Sequence, residues 1–104
     1  MSLMTNTIEK KIFDRIVSDA LGSGYNISLN DGEEWTVRGS TDALELSAAS
    51  ASTECDMLRF RDGPDPIGMV WLIWGNGCDL IHDYTDNNEM DAMMKPVMDY
   101  ANSL

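Results

Sequence analysis

Histidine and cysteine are almost missing from this chain, which holds one His and two Cys in 104 residues. Metal sites and thiol or imidazole catalysis draw on these side chains, so few such constellations can be assembled. No glycine-rich phosphate loop and no paired metal-ligand motif occurs. Basic residues are scarce as well: 7 Lys+Arg stand against 18 Asp+Glu, a formal net charge of -11. That balance repels nucleic acid and anionic membranes and excludes both as expected partners. Long apolar runs are lacking, since the densest, Met69 to Trp74, is far too short to cross a bilayer. The N-terminus shows no basic stretch followed by an apolar core, so no signal peptide is read and a cytoplasmic location is expected. Cys55 and Cys78 are then expected as half-buried, reduced thiols without a disulfide. The expectation is a binding protein, not an enzyme, with no cofactor and no metal.

The chain does have the means to fold. Its hydrophobic share is 43%, with three Trp, three Tyr and two Phe, enough for one core. Residues 4–104 read as a single small acidic domain, and Met1-Ser2-Leu3 ahead of Met4 reads as a cloning scar. Eight Met is a high count, consistent with gap-filling in a small core or with an adaptable binding surface. The charge is uneven. Up to Gly24 acids and bases balance; from Tyr25 to Pro66 nine acids face three bases; from Ile67 onward six acids face one base. An acidic surface of this kind favours solubility and attracts basic proteins.

Helical spacing of Ile8, Ile12, Phe13, Ile16, Val17, Ala20 and Leu21 predicts a first helix. Asn6 and Glu9 form a capping box at its start, Glu9 lies with the polar face, and Gly22 and Gly24 close it. Tyr25, Ile27 and Leu29, then Trp35 and Val37, alternate with polar residues and predict a hairpin around Asn30-Asp31-Gly32. A three-residue loop pairs Leu29 with Glu33, Ile27 with Trp35 and Tyr25 with Val37, which places all the apolar residues on one face. That register needs Gly32 at positive φ, as a bulge. Ser40-Thr41-Asp42 opens a short helix reaching about Ala51.

Met57 to Asp62 reads as a strand with Leu58 and Phe60 inward and Arg59 and Arg61 outward. Gly63-Pro64-Asp65-Pro66 forces a turn. Gly68 to Trp74 is apolar on both faces, which suits a strand in the middle of a sheet or under an oligomer contact. Asn76-Gly77 marks a turn, Leu80 to Tyr84 suits a short strand or an ordered loop, and Asn88 to Leu104 has helical spacing. Pro96 predicts a kink or a fresh start near Lys95. The fold class is therefore α+β: a mostly antiparallel sheet of four or five strands with helices packed on it, in the order helix, hairpin, helix, hairpin, short strand, helix.

Cys78, His82 and Asp86 are the densest set of potential ligands, but they lack the close pair that zinc sites show and the glycine of a calcium loop. On a strand, Cys78 and His82 would share a face, and nothing else supports a thiol nucleophile. Glu33, Glu34, Asp62, Asp65, Asp83 and Asp86 form the candidate protein-binding acidic surface, with spacing that suits imitation of a phosphate backbone before a basic partner. Carboxylates near turns are also ordinary solvated residues.

The segments Asn30-Asp31-Gly32-Glu33-Glu34-Trp35, Leu58-Arg59-Phe60-Arg61-Asp62, Gly75-Asn76-Gly77-Cys78-Asp79 and Asp83-Tyr84-Thr85-Asp86-Asn87 together resemble small acidic proteins of unknown function encoded by tailed phages and prophages. The likeness implies a phage or prophage setting in a bacterial cytoplasm, and it implies no activity and no functional residues. The expectation is a non-catalytic accessory protein that binds a protein partner, including a basic one as a DNA mimic. A self-assembling homodimer and an immunity or antitoxin-like inhibitor are the alternatives.

Overall fold

The computed structural model of the chain describes residues 7–104. Asn6, expected to cap the first helix, lies outside the described residues. The elements run α1 (Thr7–Gly22), β1 (Asn26–Asn30), β2 (Trp35–Ser40), α2 (Ala43–Ala49), β3 (Cys55–Asp62), β4 (Asp65–Ile73), a 3-10 turn (Gly77–Asp79), β5 (Ile81–Tyr84) and α3 (Asn88–Asn102). The strands form one antiparallel sheet in the order β2-β1-β3-β4-β5. This is the expected α+β class, and β4, apolar on both faces, is an interior strand. Among the described residues no helix is long and apolar enough to cross a membrane.

The helices cover one face of the sheet. Ile12, Phe13 and Ile16 of α1 and Met90, Met94 and Val97 of α3 are fully buried, as are Ile27, Leu29, Leu58, Phe60 and Val70 beneath them. The methionines divide accordingly: Met90, Met93 and Met94 fill the core, while Met57 and Met69 stay half-buried on the sheet's other face. α2 starts at Asp42, whose side chain accepts from Leu44 N at 2.9 Å, and α3 at Asn87, which accepts from Met90 N at 2.8 Å. α3 passes Pro96 without a fresh start. Proline removes one donor there, and the exposed Ala92 and Pro96 leave the freed carbonyl within reach of water.

Glu9 departs from expectation. Its side chain is buried, and Oε2 accepts from Gly75 N at 2.8 Å and Asn76 N at 3.0 Å. The carboxylate ties α1 to the turn after β4 and does not sit on the polar face. The periodicity places position 9 beside the apolar stripe, and the distant turn supplies the donors that make burial tolerable.

α3 seats closely on β4 at Gly68. A Cβ there would lie 2.4 Å from Met90 Cγ and 2.7 Å from its Sδ, and Met90 is fully buried. Gly68→Ala is therefore expected to destabilise the fold by about 1–3 kcal/mol through overpacking. Urea unfolding measures this, and an unchanged midpoint would show that Met90 moves freely.

The first hairpin adopts a different register from the expected one. Asn30 pairs with Trp35 and Asp31 N donates to Glu34 O at 3.0 Å, so Gly32 and Glu33 form the turn. Side chains select it: Asp31 Oδ1 accepts from Glu33 N and Glu34 N, both at 2.9 Å, and Asn30 Oδ1 accepts from Gly32 N at 2.8 Å. Asp31 is accordingly more acidic than usual, held down by those backbone donors. Gly32 has φ 101°, the positive value expected. Beyond the turn Leu29 pairs with Val37, so one residue of β2, Thr36, is extra. That bulge separates the faces: Val37 is buried, and Trp35 turns to the side of the sheet that carries no helix among the described residues.

Candidate functional site

The helix-free face is built by simple alternation. In β3, Asp56, Leu58 and Phe60 are buried, and Met57, Arg59 and Arg61 point the other way, half-buried. In β4, Val70 and Leu72 are buried and Met69, Trp71 and Ile73 are half-buried. Register joins these into rows. One crosses the whole sheet as Trp35, Asn30, Met57, Trp71 and Asp83, from β2 to β5. The next aligns Ser28, Arg59 and Met69. At roughly 4.8 Å between strands, the backbone positions of the two tryptophans stand about 14 Å apart, with Asn30 and Met57 between them.

Three guanidiniums gather on this face. Arg59 lies over the Trp35 ring, its Cζ 4.2 Å from the centroid. Burial, together with repulsion from Arg61 and then Arg38, holds the Arg59 guanidinium below its ordinary value. It stays charged at neutral pH all the same. The Nε atoms of Arg59 and Arg61 are buried and have no hydrogen-bond partner among the described residues. The ion pairs among the described residues lie elsewhere, along α1: Lys10–Asp14 at 2.8 Å and Arg15–Asp19 at 2.9 Å. In a chain with 18 acids, three of the seven cations thus lie on one surface with no ion pair among the described residues.

The six carboxylates named from the sequence do not come together. Glu33 and Glu34 sit in and beside the β1–β2 turn, while Asp62 and Asp65 close the β3–β4 turn. Because β1 and β3 are antiparallel, these turns lie at opposite ends of the sheet. They are separated by the length of β3, 8 residues, roughly 25 Å at about 3.3 Å per residue. Asp83 is exposed on the β5 edge beside Trp71, and Asp86 is in the loop before α3. The acids therefore flank the helix-free face at both ends and along one edge. These six carboxylates form no single contiguous patch.

Cys55 and Cys78 are free, and both are exposed, not half-buried. Cys78 is in the 3-10 turn and His82 is the extra residue of a β5 irregularity, so the strand geometry that would align them does not exist. Among the described residues no three His, Cys, Asp or Glu side chains gather as metal ligands would. A hollow of about 370 Å³ between α1 and α2 is lined by Val17, Leu21 and the exposed Leu44, with the Lys10–Asp14 pair and the hydroxyls of Ser18 and Ser47.

Two outward arginines were legible from alternation, as was the grouping of Met69, Trp71 and Ile73 on the face opposite Val70, Leu72 and Trp74; Trp71, expected in the core like Trp74, is instead half-buried, because no described helix covers its face. Trp35 was not legible, because the bulge at Thr36 reverses its face, and neither was the approach of Arg38. No family model, curated protein or solved structure matches the chain.

Proposed function

We propose that this protein is a non-catalytic binding module, an accessory protein of a bacterial cytoplasm in a phage or prophage setting, that grips a protein partner with the helix-free face of its sheet. The observation that carries this reading is the composition of that face: Trp35, Trp71, Met57, Met69 and Arg59 occupy adjoining positions. Aromatic residues, Met and Arg are the side chains enriched at the centres of protein interfaces, and they supply most hot spots. Helices have left this face uncovered while burying the other completely.

The acidic turns at its ends act as a rim. They keep the molecule soluble and direct which charges approach. A second copy is a poor occupant for this face. Each copy brings three guanidiniums and, among the strand residues of the face, one acid, Asp83, so pairing two such faces leaves cations confronting cations.

Affinity capture from bacterial lysate with matched variants tests the reading. A prey held by the wild type should be lost with Met57→Ser/Trp71→Ser and kept with Glu33→Lys/Glu34→Lys. The opposite pattern would return the working surface to the acidic turns. A dimer in light scattering that dissociates in Met57→Ser/Trp71→Ser would make the occupant a second copy.

A further inference from the structure

We infer that the helix-free face takes a short acidic peptide segment of its partner, with carboxylates against Arg38, Arg59 and Arg61 and an apolar side chain against Met57 and Trp71. This rests on the binding-module reading and adds the chemistry of what is bound.

Charge complementarity is the argument. Acids outnumber bases 18 to 7 in this chain, yet no carboxylate among the described residues lies within ion-pair distance of these three guanidiniums. Buried guanidinium nitrogens need acceptors, and the Nε atoms of Arg59 and Arg61 have none among the described residues. Gathering like charges without neutralising them is unfavourable in the free protein and becomes favourable once carboxylates arrive. Guanidinium matches carboxylate in a planar, two-pronged geometry, and the stacking of Arg59 on Trp35 holds one of them in place before binding.

The flanks set the length. Glu33 and Glu34 stand at one end of the face, Asp62 and Asp65 at the other, about 25 Å apart. An extended segment of roughly seven residues fits between them at about 3.3 Å per residue. A longer polyanion would run its charges over both acidic turns. For that reason single-stranded nucleic acid, which could stack on Trp35 and Trp71, is the poorer occupant: each nucleotide adds a charge, so its ends face the acidic turns, whereas a peptide can confine its acids to the arginines.

Selection from a random heptapeptide display library on the immobilised wild-type protein tests this, followed by titration of selected peptides against intrinsic tryptophan fluorescence. Selected peptides are expected to be enriched in Asp and Glu over the input. Their Asn/Gln counterparts should bind at least roughly tenfold more weakly, and Arg59→Gln/Arg61→Gln should produce a similar loss while its urea midpoint stays near wild type. Affinity should fall as salt rises. Selected peptides without acids, whose binding is lost in Met57→Ser/Trp71→Ser, would overturn the acidic occupant and leave the docking face standing. Tighter binding of a seven-nucleotide oligothymidine than of any peptide would overturn it in favour of nucleic acid. If no peptide is selected and no prey depends on this face in lysate, both inferences fall.

Discussion

Phe13→Ala is expected to cost about 3–5 kcal/mol, the range for deleting a buried aromatic ring. Phe13 is fully buried in α1, and its ring centroid lies 5.9 Å from that of Trp74 in a tilted arrangement. The pair couples the first helix to the end of β4, at the turn that Glu9 also holds. Alanine would leave a cavity lined by side chains that are already in place and cannot all collapse. Domains of this size have total stabilities of about 5–15 kcal/mol, so this change removes a large share. Thermal unfolding followed by near-ultraviolet dichroism should show a drop of roughly 10–20 °C, with loss of the Trp74 signal earlier in the melt. Phe13→Leu should recover most of it. A loss below about 1 kcal/mol for Phe13→Ala would show that α1 is not seated through this ring.

Asp56 gives the second large effect, and its sign depends on the substituent. Its side chain is fully buried. Oδ2 accepts from Ala51 N at 2.7 Å and from Trp74 Nε1 at 2.9 Å, while Oδ1 has no partner. Asp56→Ala orphans two buried donors and opens a small void, with an expected loss of about 2–4 kcal/mol. It also releases Ala51, the one described non-glycine residue at positive φ, 57°. Asp56→Asn keeps an acceptor for both donors and is expected within about 1 kcal/mol of wild type at pH 7.

The two proteins should then differ in pH dependence. Burial raises the Asp56 carboxyl above its ordinary 3.8, against the lowering effect of the Ala51 and Trp74 hydrogen bonds. A raised acid binds more protons folded than unfolded, so its contribution to stability falls as pH rises from 3.8 through the folded value. Wild type should therefore gain stability relative to Asp56→Asn as pH is lowered through that window. Asp31, held below 3.8, acts in the opposite sense in both proteins, and its charge adds to the rise at Asp56. Urea midpoints of the pair from pH 7 to pH 3.5 measure this, and parallel curves would show that Asp56 does not titrate above its usual range.

Much of this molecule follows from local rules. The 3.6-residue spacing of Ile12, Phe13, Ile16, Val17 and Ala20 specifies α1 and its buried stripe. Period-2 alternation sorts Leu58 and Phe60 from Arg59 and Arg61, and Val70 and Leu72 from Met69 and Trp71. Side-chain donors and acceptors a few residues away define the helix starts at Asp42 and Asn87. The -11 charge is a property of composition alone.

What the tertiary structure decided depends on how turns, bulges and strand pairing bring residues together, many of them far apart in the chain. Glu9 is buried because Gly75 and Asn76 turn two amides toward it, 66 and 67 positions away. Asp56 is buried because Trp74 and Ala51 bring donors to it. Trp35 faces Arg59 because the side chains of Asn30 and Asp31 select a turn, and a bulge at Thr36 then reverses the face. The carboxylates of two turns that look like one acidic series along the chain are carried to opposite ends of the sheet by antiparallel pairing. Three arginines scattered among nine acids between Tyr25 and Pro66 converge on one surface. Composition sets the sum of the charges; strand order and register set which charges meet, because cross-strand neighbours about 5 Å apart come from distant parts of the sequence.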